Sequence, residues 1–159
     1  MKKLLIIVLL VSTIQADSQD TLKIKQIDSI VTGINKSNIV PVNDSIVQDL
    51  PAMGLYMKTN LTMLVEGKEL KKYVNKVNGV RKENGVSEEL SSSNSFYFDK
   101  GKLIKVEEFI VKDGKEQHAD WYYADDKPLY YTFQSDRSDE RAALLLNMAK
   151  SMLKQFQKI

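Results

Sequence analysis

Glu107, His118 and Asp120 are residues of this sequence whose types and spacing could do chemistry together. Apolar alternation on both sides of Asp113-Gly114 predicts two strands joined by a two-residue turn. That turn sets Glu107 directly opposite Asp120, with His118 beside them on the same face of the sheet. Two carboxylates and an imidazole suit a divalent metal, and such a cluster could also shift a pKa far enough for acid-base catalysis.

The same cluster has a simpler interpretation as a solvated sheet face. Like charges that oppose each other across two strands destabilise a sheet, so Glu107 and Asp120 require a compensating charge. Lys105, a protonated His118 or a bound cation could each supply it. Four aromatic side chains share this face and could bind a partner: Tyr97, Phe109, Tyr122 and Tyr130.

The strands that position these residues belong to one aromatic-rich segment, Ser95 to Phe133. Its turn signals predict a four-stranded antiparallel meander, with a three-residue loop at Asp99-Lys100-Gly101 and another at Asp125-Asp126-Lys127. The first loop would oppose Phe96 and Ile104. The pairings collect apolar side chains on one face, which we expect to be the core side: Phe96, Phe98, Ile104, Val106, Ile110, Ala119, Trp121, Tyr123, Leu129, Tyr131 and Phe133.

Two amphipathic helices flank this sheet. In residues 20–36 the apolar positions recur at steps of three and four, and a second helix runs from about Ser138 to Gln157. The fold class predicted is α+β: an antiparallel meander of about six strands with an N-terminal and a C-terminal helix packed on one face. We expect that face to be the one that carries Trp121, because each helix must bury its apolar stripe.

The segments before the meander give weaker signals. Leu55 to Val65 alternates as a half-buried strand does. Residues 69–77 fit either a returning strand, with Leu70 opposite Met63, or a helix, and the turn at Glu66-Gly67 favours the strand. Prolines and polar clusters predict loops over residues 37–53, with a short strand near Ile46, and over residues 78–95.

Residues 1–16 have the form of a secretory signal peptide. A basic start, Met1-Lys2-Lys3, precedes the apolar run Leu4 to Val11, and Ala16 stands before the expected cleavage point. The apolar run is shorter than the roughly 20 residues that span a bilayer. We therefore expect residues 17–159 to form a single exported domain, periplasmic or extracellular, with no stable membrane insertion after cleavage.

Composition narrows the chemistry of the exported chain. Without Lys2 and Lys3 it has 21 basic and 21 acidic residues, so its charge does not favour nucleic acid as a partner. The absence of cysteine excludes thiol catalysis and thiolate metal sites. The sequence also lacks a phosphate-binding glycine loop, a His-Glu-x-x-His motif and a Gly-x-Ser-x-Gly motif. No cofactor is expected.

Two segments look like copies of one hairpin unit, an aromatic strand followed by Asp-x-Gly-Lys-Leu. They are Phe96 to Lys105 and Tyr122 to Leu129, and Leu64 to Lys72 resembles a third. The pattern resembles hairpin repeats of small secreted bacterial proteins of unknown function and of toxin-antidote immunity proteins. Asp126-Lys127-Pro128 departs from it where glycine is expected. The resemblance implies a sheet-built binding or interaction protein and carries over no catalytic residue.

These observations lead to one expected function and two alternatives. The expectation is an exported, non-catalytic binding or interaction protein whose partner is an envelope protein or a small ligand. The first alternative is a small metal-dependent or acid-base enzyme centred on Glu107, His118 and Asp120. The second is a carrier that encloses an apolar ligand between its sheet and its helices.

Overall fold

The computed structural model describes residues 20–83, 86–112, 115–133 and 135–157; the predicted signal peptide lies outside these ranges. Helix α1 comprises residues 20–36, a 3-10 helix spans Pro51–Met53, and helix α2 spans Ser138–Phe156. No helix in these ranges is both long and apolar enough to cross a bilayer. The strands are β1 (Val42–Leu50), β2 (Leu55–Glu66), β3 (Glu69–Glu83), β4 (Val86–Asp99), β5 (Lys102–Lys112), β6 (Lys115–Ala124) and β7 (Lys127–Tyr131).

All seven strands form one antiparallel sheet in sequence order, β1 to β7. The predicted α+β fold with an antiparallel meander is confirmed, and so is the strand at residues 69–77. The expected count of about six strands was too low. Both segments predicted as loops are largely strand, because pairing between neighbouring strands supplies backbone hydrogen bonds even to a polar tract such as Ser91-Ser92-Ser93-Asn94.

The two helices pack on opposite faces of the sheet. Helix α2 buries Leu145 and Ala149 against the face that carries Trp121. Helix α1 buries Ile27, Val31 and Ile34 against Tyr97 and Tyr122 on the reverse face. The prediction that both helices share the Trp121 face was therefore wrong. Neighbouring strand residues point to opposite faces, and the segment around Tyr97 and Tyr122 is apolar on both, so each face takes one helix.

The turn between β4 and β5 has two residues, not the three predicted. Lys100 and Gly101 both have positive φ, 50° and 72°, which is the geometry of a type I′ hairpin turn. A β-bulge between Tyr97 and Phe98 follows from this turn and shifts the register. Phe96 therefore lies opposite Val106 rather than Ile104, and Ile104 packs with the α1 side of the sheet.

The turn between β6 and β7 is corrected in the same way. It consists of Asp125 and Asp126, with φ 51° and 60°, and a bulge between Tyr122 and Tyr123 places Leu129 with the α1 side. Leu70 lies opposite Val65 rather than Met63, because the turn consists of residues 67 and 68 instead of the predicted Glu66-Gly67, so that Glu66 faces Glu69. The pairings predicted for the central hairpin are confirmed: Val106 with Trp121, Glu107 with Asp120 and Phe109 with His118.

Candidate functional site

Lys105 supplies the positive charge that the Glu107–Asp120 pair requires. Its side chain is 7% exposed, and its Nζ lies 3.3 Å from Glu107 Oε1 and 3.1 Å from Asp120 Oδ2. A third carboxylate comes from α1, where Asp28 Oδ1 is 3.3 Å from the same Nζ. Burial disfavours the charge, but hydrogen bonding with Tyr122 and Asp120 outweighs it and raises the pKa of Lys105 above its ordinary value.

His118 does not join this cluster. Its ring packs against that of Phe109, tilted by 47° with the centroids 4.7 Å apart, and its Nε2 lies 3.9 Å from Glu116 Oε2 on a well-exposed part of β6. Within the described ranges, no group of three His, Cys, Asp or Glu side chains is placed to hold a metal ion. The lysine between Glu107 and Asp120 thus occupies the position that the metal-site hypothesis assigned to a cation.

Two of the four aromatic residues predicted as a binding surface are buried beneath α1. Tyr97 is 1% exposed and Tyr122 is 6% exposed. The Tyr97 hydroxyl donates to Glu107 Oε2 at 2.7 Å, and the Tyr122 hydroxyl donates to Asp28 Oδ1 at 3.0 Å. Burial, followed by the bond to Glu107, raises the pKa of Tyr97. These phenols bind α1 to the sheet and are not open to a partner.

The other two aromatic residues remain accessible. Phe109 is half-buried beside His118, and Tyr130 is 44% exposed with its ring 5.9 Å from that of Tyr122. They lie on different strands, with Tyr130 on β7 and Phe109 on β5. The four-residue surface proposed from sequence is therefore divided by α1.

A cleft of about 490 Å³ lies on the opposite face, between the start of α2 and strands β5 and β6. Ser138 shapes its rim: this buried hydroxyl donates to the Phe133 carbonyl at 3.1 Å and accepts from the Ser135 N–H at 2.7 Å. These two bonds set the direction in which α2 leaves the sheet. The first turn of α2 consequently lies over the C-terminal end of β5 and the N-terminal part of β6, and it leaves an open space beneath it.

A buried ion pair forms one wall of the cleft. Glu108 is 6% exposed on the α2 face of β5, and both of its carboxylate oxygens receive bonds from Arg141 of α2. One of these joins Arg141 Nε to Glu108 Oε2 at 3.3 Å. With its amide oriented to satisfy its neighbours, Asn94 donates to Glu108 Oε1 at 3.2 Å. A buried carboxylate needs such partners, since an unpaired charge in this position would be strongly destabilising.

Arg141 keeps part of its hydrogen-bonding capacity for the cleft. A guanidinium has two edges that can each bind a carboxylate, and Glu108 engages the Nε and Nη2 edge. In the described part of the chain, no acceptor is bonded to Nη1. The Arg141 side chain is 37% exposed and lines the cleft.

The remaining walls are mainly apolar. Trp121 forms the base and is 2% exposed, and its indole Nε1 has no hydrogen-bond partner among the described residues. Side chains that are partly exposed at the mouth are Ile110 at 38%, Phe133 at 48% and Leu144 at 48%. A space of this volume, lined by apolar groups with a few polar ones, is typical of small-molecule sites.

Sequence interpretation missed this cleft although it placed several of its residues. Ile110, Trp121 and Phe133 were assigned to the core face, and Glu108 is the charged residue in the interior of that face. A lone carboxylate on an apolar face was the available signal, because it requires a cation from the helix that covers the face. Arg141 lies beside the buried Ala142 of α2, on the side of the helix that the apolar pattern predicts to face the sheet, and a cation is not expected there.

No protein-family model, curated protein or solved structure matches this chain.

Proposed function

We propose that this protein is an exported, non-catalytic binding protein whose α2 cleft takes a carboxylic acid with an apolar body. The observation that carries this proposal is the edge of Arg141 that no described residue occupies, in a cleft whose other walls are mainly apolar. This proposal keeps the carrier alternative of the sequence analysis but restricts its ligands to apolar molecules that carry one anionic group.

The anionic group would bind at Arg141. Because Glu108 already orients the guanidinium, the ligand carboxylate would meet a rigid pair of N–H donors instead of a flexible side chain. A rigid site loses little conformational entropy on binding. The neighbouring Arg137 is paired with Glu140 at 3.0 Å, so it adds little net charge to the rim.

The apolar body would lie along Ile110, Phe133 and Leu144 over Trp121. These side chains expose apolar surface to water in the free protein, and each square ångström covered would contribute about 25 cal/mol. Aromatic or aliphatic bodies suit the volume of about 490 Å³.

Fluorescence of Trp121 tests the proposal directly, because it is the only tryptophan of the chain and lines the cleft. We would titrate the protein with decanoate and with 3-phenylpropanoate, using the corresponding primary amides as uncharged controls. The expected result is a saturable emission change with each acid. The amides should bind roughly tenfold or more weakly, since they cannot form the charged pair with Arg141.

Two leucine variants locate the binding. Leu144→Asp places a negative charge at the cleft mouth and should weaken acid binding by roughly tenfold or more. Leu22→Asp makes the same change at an exposed position of α1 and should leave the affinity unchanged. If neither acid gives a saturable signal by fluorescence or by calorimetry, the cleft is not a site for apolar acids. An equal loss in both variants would also contradict the proposal.

A further inference from the structure

Strand β1 is a long open edge of the sheet. It has nine residues, all of them exposed, and in the described part of the chain no strand pairs with its outer side. At about 3.3 Å per residue, this edge presents a row of backbone N–H and C=O groups roughly 30 Å long. Groups of this kind can pair with a strand from another chain.

The opposite edge of the sheet has the features that prevent such pairing. Strand β7 has five residues, and Lys127 and Pro128 stand at its start. A short strand with lysine and proline is a common way of blocking an edge. Strand β1 contains neither residue type. The contrast between the two edges makes β1 the one that is better suited to accept a partner strand.

Exposed apolar side chains concentrate around β1. Of the thirteen large hydrophobic residues exposed in the described ranges, seven fall between residues 40 and 56. Ile46 is 50% exposed on the α2 side of the strand, and Val47 is 55% exposed on the α1 side. Val40 and Met53 flank the two ends and are 82% and 67% exposed. An edge partner would therefore cover apolar surface on both faces.

We infer that this partner is a second copy of the chain, joined by antiparallel pairing of β1 with β1 about a two-fold axis at Ile46. That axis pairs all nine residues of the strand, because Ile46 is its midpoint. Val42 then opposes Leu50 of the second copy, and Ile46 opposes its own equivalent. Directly opposed residues of antiparallel strands lie on the same face of a sheet, so the two side chains of each apolar pair would be in contact.

The charges of β1 are compatible with this register. Asp44 opposes Gln48 of the second copy, and Asp49 opposes Asn43, so each carboxylate meets an amide and no two carboxylates face each other. Two-fold axes at Asp44 or at Asp49 would oppose identical carboxylates and would leave part of the strand unpaired. The strand is thus self-complementary in the register that uses its whole length.

Sedimentation velocity of the exported chain tests this inference at about 10 to 100 μM. We expect a species of twice the chain mass. Ile46→Lys would set two ammonium groups directly opposite each other and should weaken association by roughly tenfold or more. Leu22→Lys, an equal change on α1, should leave association intact. Circular dichroism and thermal unfolding of both variants establish that the fold persists.

A cross-linking experiment tests the register itself. The chain has no cysteine, so Ile46→Cys introduces a single thiol that would lie opposite its equivalent across the axis. Mild oxidation should join two chains quickly, whereas chains with Leu22→Cys should remain separate. A monomer at 100 μM, a dimer unaffected by Ile46→Lys, or equal cross-linking of the two thiol variants would each overturn the inference.

Discussion

At the scale of single residues, Lys105 links α1 to the sheet by charge. Its ammonium group lies within 3.3 Å of carboxylate oxygens from Asp28 of α1, Glu107 of β5 and Asp120 of β6. It also lies 4.8 Å from the centre of the Tyr122 ring, which adds a cation–π contact. One buried cation therefore offsets the repulsion of three carboxylates and helps to hold α1 on the sheet.

Replacing Lys105 should destabilise the protein. Lys105→Met keeps much of the apolar stem but leaves three carboxylates close together, so we expect the free energy of unfolding to fall by about 2 kcal/mol in urea titrations. This loss is smaller than that usual for removing one partner of a fully buried ion pair, because the three carboxylates are partly exposed to solvent. Lys102→Met removes a lysine that is 55% exposed and should change stability by less than about 0.5 kcal/mol. Equal effects in both variants would exclude the proposed role of Lys105.

Lys105 also predicts how stability depends on alkaline pH. Its pKa is raised in the folded state, so its stabilisation is complete below the unfolded-state value of about 10.4 and is lost as pH rises above it. Above that value the folded chain binds more protons than the unfolded chain, and the free energy of unfolding decreases. The buried phenols of Tyr97 and Tyr123 act in the same direction, since burial raises the pKa of both.

Urea titrations between pH 7 and 11 measure this dependence. We expect a constant free energy of unfolding up to about pH 9 and a progressive fall above about pH 10. Lys105→Met should show a shallower fall, because one of the groups that release protons is gone. An identical slope in the variant would show that Lys105 does not contribute.

At the scale of elements, the hairpin turns decide which side chains reach which helix. Lys100 and Asp126 adopt positive φ where glycine or asparagine is usual, and each turn is followed by a bulge in the adjoining strands. The bulges move Ile104 and Leu129 to the α1 side, where they complete the apolar surface that α1 covers. The local geometry of two turns thus contributes to the placement of a helix that is distant in sequence.

The strained lysine in the first of these turns offers a stabilising substitution. Lys100→Asn would give the Asn-Gly pair that type I′ turns favour, and asparagine tolerates a φ of 50° better than lysine does. We expect thermal unfolding to show stabilisation of about 0.5 to 1 kcal/mol. Lys115→Asn removes the same charge from an exposed strand position and should be neutral or slightly destabilising. A loss of stability in Lys100→Asn would contradict the turn assignment.

At the scale of the whole molecule, different parts of the sheet form the two cores, the α2 cleft and the open β1 edge. Strands β4 to β6 are covered on both faces and form the two cores, one with each helix. The C-terminal end of β5 and the N-terminal part of β6, beneath α2, form the cleft that we propose for an apolar acid. Strand β1, at the far edge, carries the surface assigned to a second copy. The ligand and the second copy would therefore occupy different parts of the same sheet.

From the sequence alone, the local features of this protein could be determined. Apolar periodicity located both helices and the strands of the meander. The turn predicted at residues 113–114, which lie outside the described ranges, led to the correct pairing of Glu107 with Asp120. These features follow from interactions within a few residues or across one tight turn. They were sufficient to identify an antiparallel α+β fold and to require a compensating charge, for which Lys105 was one of three candidates.

Only the tertiary structure decided which helix covers which face, that residues 42–50 form an edge strand, and that Arg141 reaches Glu108. Each of these depends on groups far apart in the chain. A helix stripe fits either face of a sheet that is apolar on both, and a polar segment becomes a strand when a neighbour offers it hydrogen bonds. One wall of the cleft is a buried carboxylate on β5 that is neutralised from α2, and no local pattern encodes that pairing.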